Sequence, residues 1–493
     1  MTVRCPDLSR RSLLSVRSGL VFAPLLALAC GGGGGQDNKD AGVPPTRVTG
    51  VLAELGARKV DVLFVIDDSS SMAPAQANLV ASFPAFMETL RALPAGAPDL
   101  HIAVISSDMG AGDGSIPGCA GVGKAGRFQF AARGACAATN LQADATFITD
   151  AGGGVTNYTG NIEDVFGCIA PLGESGCGFE QPFAAITRAL GADGRGNPPA
   201  DNAGFLRPDA RLAIVMLTNE DDCTPRAGTA LFDATSHITL ASPLGPPTSF
   251  RCNEFGHLCN GAPPARVAPN GLVGDMFTYD NCEPAEGAGM LESVADTVGQ
   301  IKGLKAEPAG QILMASIQGS TGPYVVHWRD PLPPDTMPWP EITHSCTAPD
   351  LSFADPGIRT ANLAFGFGAM GFVFSICDYS FALGLSRFAS AIGGLFSPSC
   401  IAGEIADDVT RPGSQPDCKV TAQTADGTGA VVDSVVPACD DNGGTPPCWS
   451  LVAGGPLCVG QVLQLTADAA APPPTVAYDC GVCTPGVAVR GCR

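Results

Sequence analysis

Three oxygen-bearing side chains at alternate positions, Asp67, Ser69 and Ser71, have the types and spacing best suited to chemistry in this chain. One carboxylate and two hydroxyls are hard donors, which suit Mg²⁺ or Ca²⁺. Asp or Ser at this point would also cap a following helix without any metal. The spacing therefore predicts either a divalent-cation site or a capped turn, and the neighbouring elements favour the cation site.

Those neighbouring elements are a strand and a helix. Residues 60–66 form an apolar, β-branched run that predicts a strand buried on both faces. From Leu79 onward, apolar residues recur at helical spacing and predict an amphipathic helix. Pro74 suits the helix start, whereas Pro84 predicts a kink or a split. A buried strand that ends in this turn places the ligands at the carboxyl edge of a sheet, where α/β proteins bind ligands.

This combination resembles the von Willebrand factor type A domain, whose metal-ion-dependent adhesion site begins with Asp-x-Ser-x-Ser after the first strand. The resemblance covers about residues 58–396. It implies that Asp67, Ser69 and Ser71 bind Mg²⁺ or Ca²⁺ and that an acidic side chain of a protein partner completes the metal shell. Extra acidic residues could instead close the site and make it purely structural.

The resemblance also implies two companion loops, which depart from the family pattern. A Gly-rich turn within residues 176–190 offers Glu180 where the family has Thr, with Gln181 as second choice. Glu180 could alternatively be a first-turn helical residue favoured by the helix dipole. The next predicted buried strand, residues 211–218, is followed by Asn219 where the family has Asp, and Asp221 comes two residues later. The resemblance implies that Glu180 and Asn219 or Asp221 complete the shell. The carboxylates gathered there would repel one another unless a cation neutralised them, which supports a metal site.

The remaining sequence predicts two folded parts. Alternating helices and at least five apolar strands predict a doubly wound, mostly parallel α/β sheet with flanking helices over residues 57–398. We expect disulfide-bearing insertions near residues 109–160, 223–285 and 320–355. Residues 399–493 contain eight Cys with many Pro and Gly, which predicts a small disulfide-rich β module.

The chain contains 20 Cys, which in an exported protein predicts disulfides. We expect a disulfide to hold the first insertion, which carries Cys119 and Cys136. Residues 252–259 carry Cys-x4-His-x-Cys, which could bind zinc, but an oxidising compartment favours disulfides with His257 incidental. The Cys-x-x-Cys at residues 480–483 lacks thioredoxin-like surroundings, so we predict two structural disulfides there.

The N-terminus predicts export. Residues 1–29 combine a basic segment, including a twin arginine, with a short apolar core, so both general and twin-arginine export remain open. Ordinary signal-peptidase cleavage and a lipobox compete at Cys30. Loss of Cys5 and lipidation of Cys30 would leave an even 18 Cys, which favours lipid attachment. Residues 30–56 are then expected to form a flexible tether to the membrane.

The formal net charge of −20 argues against binding of nucleic acid.

From the motif, the N-terminus and the cysteines together, we expect an exported, lipid-anchored cell-envelope protein. We expect it to bind a cation and an unknown protein ligand and not to be an enzyme. One alternative is a metal-dependent hydrolase or phosphoryl-transfer enzyme built on Asp67 and Asp68, although no Walker, Gly-x-Ser-x-Gly or His-Glu-x-x-His motif occurs. The other is a structural envelope protein whose metal only locks the fold.

Overall fold

The structure is a computed structural model that describes residues 43–492, except 53–57, 94–95, 113–115, 117, 153, 234–238, 288, 307, 397–399, 426–430, 454–459, 467–474 and 485. The predicted signal peptide, Cys30 and the first part of the predicted tether lie outside the described residues and stay predictions.

The described strands are, in chain order, β1 (Thr46–Leu52), β2 (Lys59–Ile66), β3 (Asp99–Ser106), β4 (Ile148–Asp150), β5 (Arg211–Leu217), β6 (His257–Cys259), β7 (Met276–Tyr279), β8 (Cys282–Pro284), β9 (Ile312–Gln318), β10 (Tyr324–Arg329), β11 (Trp339–Ile342), β12 (Cys346–Thr347), β13 (Phe353–Ala354), β14 (Gly371–Ser375), β15 (Cys400–Ala402), β16 (Cys418–Ala425), β17 (Val431–Val436), β18 (Cys448–Ala453), β19 (Gly460–Thr466) and β20 (Thr475–Val482). The described α-helices are α1 (Ala73–Arg91), α2 (Ile162–Ile169), α3 (Pro182–Leu190), α4 (Ser249–Gly256), α5 (Val294–Lys302), α6 (Pro308–Gln311), α7 (Ile358–Phe365) and α8 (Ala382–Phe396).

The central sheet has six strands in the order β14-β9-β5-β2-β3-β4. Its first five strands pair in parallel, and β4 pairs antiparallel to β3 at one edge. β2 lies inside this sheet, and every residue after Lys59 in it is buried, as its apolar run predicted. The predicted mixed α/β class with a mostly parallel sheet is thereby confirmed, while the doubly wound assignment stays a prediction.

Alternate residues of β2 contribute to two different apolar cores. Phe64 packs with residues of α1, α2 and α8, whereas Leu63 packs with residues of α3, α5 and α7. The ring centroid of Phe64 lies 4.8 Å from that of Phe166 and 6.0 Å from that of Phe83. Full burial of such a ring stabilises by about 1.5–3 kcal/mol. Contacts on both faces thus fix the strand whose carboxyl end carries Asp67.

The helix after β2 is continuous. α1 runs unbroken from Ala73 to Arg91 across Pro84, so the alternative of two separate helices is wrong. An interior proline costs about 3 kcal/mol. Phe83 and Phe86, which flank Pro84, are both fully buried, and their burial offsets that cost.

The predicted insertions build structure of their own. Part of the first one, β4, extends the central sheet, since it pairs with β3. The other two meet in a three-stranded sheet in the order β11-β10-β7. The side chains of Tyr324 and Trp328 are buried in a small core beside this sheet. These segments therefore pack together instead of forming independent surface loops.

The C-terminal module contains two small sheets, with strand orders β1-β20-β16-β17 and β15-β19-β18, around one apolar core. β1 belongs to the segment predicted as a flexible tether, and the structure differs there. Thr46 to Leu52 pair in antiparallel register with β20, and Arg47 forms ion pairs of 2.7 Å with both Asp417 and Asp479. The sequence could not indicate this strand, because its partner lies more than 400 residues downstream.

Disulfides confirm much of the cysteine analysis. Among the described residues, no disulfide joins the α/β part to the C-terminal module; the bonds are Cys119–Cys177, Cys136–Cys168, Cys223–Cys252, Cys259–Cys282, Cys346–Cys377, Cys418–Cys480, Cys439–Cys448 and Cys483–Cys492. The two cysteines of the first insertion each bond to a later cysteine rather than to each other. Both the Cys-x4-His-x-Cys and the Cys-x-x-Cys segments form disulfides, as predicted.

The two ends of the α/β part lie close together. The guanidinium of Arg58 lies 5.2 Å from the ring centroid of Phe396, so the first and last described residues of this part lie side by side.

None of the helices in the described ranges is both long and apolar enough to cross a bilayer.

Candidate functional site

Three loops meet at the carboxyl edge of the central sheet. They are the turn after β2 (67–71), the turn before α3 (176–181) and the turn after β5 (218–222). The backbone N–H of Asp67 donates to the carbonyl of Leu217 at 2.9 Å. Main-chain bonds of this kind hold the loops in register, so the predicted companion loops do converge on the first one.

The carboxylate of Asp67 is fully buried and held on both oxygens. Its Oδ1 accepts from the backbone N–H of Ser69 at 2.8 Å, and its Oδ2 accepts from the Thr218 hydroxyl at 2.9 Å. Burial raises the pKa of Asp67 to about 6, although these two bonds and the nearby Ser69 hydroxyl, which lies beyond hydrogen-bond distance, oppose that shift. Thr218 is thus a supporting residue that the sequence offered only as the end of a strand.

One buried oxygen from each loop has no hydrogen-bond partner among the described residues: Ser69 Oγ, Glu180 Oε1 and Asn219 Oδ1. A buried polar atom left without a partner costs about 1–3 kcal/mol. Native proteins keep few such atoms, and each one calls for a ligand or another explanation. Oxygen atoms of this type are the ligands that hard cations prefer, and each of the three loops contributes one.

Glu180 lies in this group as a buried carboxyl. Its Oε2 accepts from the Ser107 hydroxyl at 2.5 Å. Burial raises the pKa of Glu180 well above its ordinary value, and the charges of Asp67 and Glu220 raise it further. α3 begins at Pro182, so Glu180 precedes the helix rather than lying in its first turn.

Ser71 and Asn219 are joined to each other. The Asn219 amide nitrogen donates to Ser71 Oγ at 2.7 Å and to the Phe353 carbonyl at 3.2 Å. These two bonds set the orientation of the amide and leave Oδ1 without a donor. The amide thereby presents a neutral oxygen at the position where the resembling family has a carboxylate.

Asp221 lies outside this group. Its carboxylate accepts from the backbone N–H groups of Arg359 and Thr360, at the start of α7, at 2.8 Å and 3.0 Å, and from His257 Nε2 at 2.7 Å. Burial opposes ionisation of Asp221, but the bonds from His257 and Arg359 outweigh it and lower the pKa. Because each carboxylate oxygen of Asp221 accepts at least two hydrogen bonds, against one on each oxygen of Asp67, we leave Asp221 out of the proposed ligand set.

Gln181, the second choice in the loop of Glu180, and His257, predicted to be incidental to the disulfides around it, also have defined partners. The Gln181 amide donates to the carbonyl of Gly110 at 2.6 Å, away from the three oxygens. His257 is fully buried between Asp221 and the Tyr324 hydroxyl, so it links the segments that carry these two residues.

Glu220 is the site residue that sequence reasoning passed over. Burial raises the pKa of this carboxyl well above its ordinary value, and the charges of Asp355 and Asp67 contribute. Its position directly after Asn219 was the available signal. The charge of Asp67 thus raises the pKa of both Glu180 and Glu220, so the three carboxyl groups repel one another at this edge of the sheet.

The donor chemistry fits a hard cation better than a soft one. Within the described ranges no three His, Cys, Asp or Glu side chains gather in a metal-ligand arrangement. A cation at this edge would therefore depend on hydroxyl and amide oxygens beside Asp67 and Glu180. Oxygen-only sets of this kind suit Mg²⁺ or Ca²⁺, whereas zinc sites use Cys and His.

Comparisons with known proteins give only distant likenesses. No protein-family model and no curated protein sequence matches the chain. Among solved structures, the pilus adhesin SpaC from Lactobacillus rhamnosus GG aligns at TM-score 0.29 and 11% identity, over 89% of this chain and 41% of the adhesin. A von Willebrand factor type A protein from Catenulispora acidiphila aligns at 0.26 and 10%, over 92% of this chain and 68% of that protein.

The pilus adhesin RrgA from Streptococcus pneumoniae aligns at TM-score 0.27 and 10% identity, over 88% of this chain and 58% of the adhesin. The chain thus spans well under two thirds of the length of either adhesin. Likeness at this level carries no argument about function, which must come from the residues themselves.

Proposed function

We propose that this chain is a non-catalytic, cation-dependent binding protein of the von Willebrand factor type A kind, with a doubly wound sheet. In this proposal Asp67, Ser69, Ser71, Glu180 and Asn219 hold one Mg²⁺ or Ca²⁺. The observation that carries it is the set of three buried, unpartnered oxygens, one from each loop. The Asp-x-Ser-x-Ser pattern and the crowded carboxyl groups add support.

The ion would supply the positive charge that the crowded carboxyl groups lack. Two hydrogen bonds hold the Asp67 carboxylate in place, one on each oxygen, and each oxygen keeps a lone pair for the ion. Glu180 would release its proton as the ion enters, because the cation favours the charged form. The carboxylate of a protein partner would take an open coordination position, so removal of the ion would abolish partner binding.

Location is part of the proposal. We propose that the chain is exported and attached to the cell envelope by a lipid on Cys30. The eight disulfides among the described residues support an oxidising compartment, since such bonds are rare in the cytosol. Mass spectrometry of the membrane fraction would detect the lipid, and a soluble, unlipidated N-terminus would contradict it.

The test of the cation site is calorimetry of the purified, metal-stripped protein with Mg²⁺ and Ca²⁺. We expect saturable binding of one ion, lost in Asp67→Asn and in Glu180→Gln. Glu88→Gln is the matched control, because Glu88 is exposed on α1. Equal weak binding by the parent protein and all three variants would exclude the site.

An open coordination position is tested with Mn²⁺, which accepts the same oxygen ligands. Water-proton relaxation by the protein-bound ion reports exchangeable water, and added acetate should displace that water and reduce the relaxation. No relaxation enhancement, or no effect of acetate, would mean a closed structural ion. Turnover in a hydrolase screen that Asp67→Ala abolishes would favour an enzyme instead.

A further inference from the structure

A lysine ammonium lies between two carboxylates directly beside the proposed ion site. Lys124 Nζ is 3.2 Å from Asp108 Oδ2 and 3.5 Å from Asp68 Oδ2. The Ser106 hydroxyl donates to Asp68 Oδ1 at 2.6 Å. We call Asp68, Ser106, Asp108 and Lys124 the ammonium pocket. The two carboxylates are almost fully buried, whereas the lysine side chain is 34% exposed.

The chain builds this pocket from two strand ends and one insertion loop. Asp68 follows β2 and Asp108 follows β3, while Lys124 comes from the first insertion. The backbone N–H of Lys124 donates to the Asp108 carbonyl at 2.9 Å, and that of Gly110 donates to Asp108 Oδ1 at 2.9 Å. A Cβ on Gly123 would lie 2.2 Å from Asp108 Oδ1, so the loop can close over the carboxylate only with glycine there.

The pocket acts on the proposed ion site through charge. Asp68 is the neighbour of Asp67 in the chain, so its negative charge lies beside the proposed ion site. The ammonium offsets part of that charge. The oxygen atoms of the ammonium pocket come from two carboxylates and a hydroxyl, which are the hard donors that bind divalent ions. Without the ammonium, this edge would present two further uncompensated carboxylates.

We propose that Lys124 is a fixed cation that occupies the place of a second divalent ion, so that the sheet edge takes up one exchangeable ion instead of two. This inference rests on the proposed function for the first ion. It gives the first insertion a role, because the insertion brings the charge that sets the number of ions.

The experiment counts Mn²⁺ bound per chain, from the paramagnetic resonance signal of free Mn²⁺ in titrations of the full chain. Lys124→Met should raise the count from one to two and make chelator lower the unfolding midpoint more than in the parent protein. Lys124→Arg should keep one ion. Lys59→Met is the matched control, because Lys59 pairs with Asp209 at 2.7 Å at the opposite end of β2.

A second variant serves as a control in case Lys124→Met alone fails to fold. Lys124→Met with Asp108→Asn removes one positive and one negative charge together, so it should fold and bind one ion. Two outcomes would overturn the inference: Lys124→Met that still binds one ion with unchanged affinity, or a parent protein that binds two ions at this edge.

The same titration separates the two proposals. A parent protein that binds no ion, with one ion in Lys124→Met, would refute the proposed function yet support the role of Lys124. No ion in either protein would refute both.

Discussion

Ser69→Ala is the substitution whose effect should change sign with the metal. In the structure the Ser69 hydroxyl is buried and has no hydrogen-bond partner among the described residues. An unsatisfied buried polar atom costs about 1–3 kcal/mol. In the presence of chelator, Ser69→Ala removes that cost, so we expect the free energy of unfolding to stay unchanged or to rise by about 1 kcal/mol.

With Mg²⁺ present, Ser69→Ala should instead have a lower free energy of unfolding than the parent protein. An ion at 100 times its dissociation constant stabilises the parent protein by about 2.7 kcal/mol. Loss of one ligand that weakens binding about tenfold removes about 1.4 kcal/mol of that stabilisation. Urea unfolding under oxidising conditions, with chelator and with Mg²⁺, measures both values.

The control is Ser82→Ala on α1. Ser82 is also buried, but its hydroxyl donates to Asn78 Oδ1 at 3.2 Å and accepts from the Phe381 N–H at 3.1 Å. Its loss should destabilise by about 1–3 kcal/mol in both solutions. If Ser69→Ala destabilised equally with and without Mg²⁺, the hydroxyl would have a structural role and the argument for the ion would fail.

Three further predictions concern pH, a buried ion pair and the first strand. The folded-state pKa of Asp67, about 6, and that of Glu180, well above its ordinary value, both exceed the unfolded values, so their contribution to stability is full at low pH and is lost as pH rises through each folded pKa. Chelated protein should therefore unfold at lower urea near pH 8 than near pH 5, and Mg²⁺ should reduce this difference. Arg359→Met leaves the buried Asp222 carboxylate unpaired and should destabilise by about 3–5 kcal/mol in urea unfolding. Removal of residues 43–52 should expose the edge of β20, which increased amide exchange in the C-terminal module would detect.

Each of these has an outcome that would contradict it. A chelated protein with greater stability near pH 8 would mean that the carboxyl groups do not crowd. For the ion pair, the comparison is Arg329→Met, because Arg329 and Glu341 are exposed and such pairs contribute about 0–1 kcal/mol. Equal effects of the two arginine substitutions would contradict the prediction for the buried ion pair. Unchanged amide exchange after loss of β1 would contradict the prediction for the first strand.

The sequence predicted which loops meet where the candidate residues directly follow strands. Asp67 and Asn219 each come straight after an apolar strand, and parallel strands bring their carboxyl ends together, so proximity followed from order alone. Glu180 followed from the resemblance to a family motif. Its crowding with Glu220 did not, because that depends on which way each side chain turns after the strand.

Other features depended on contacts between distant segments. Asp221 looked equivalent to Asn219 in sequence, yet its carboxylate binds the start of α7, which begins more than 130 residues later. β1 looked like a linker because its pairing partner is near the end of the chain. Local patterns cannot indicate either contact, since neither partner is recognisable until the fold brings it close.

The position of β2 between two parallel neighbours determines how the site would respond to mechanical force. β1 precedes β2 in the chain, so a pull on the N-terminus against a partner held at Asp67 would run along β2. Eight residues of β2 pair with β3 and seven pair with β5. Such a pull acts at the two ends of one strand, so the extended covalent backbone of β2 carries it while the pairs on both sides keep the strand in register. A contact made at the sheet edge would therefore be limited by the strength of the contact itself before the strand that carries it slides.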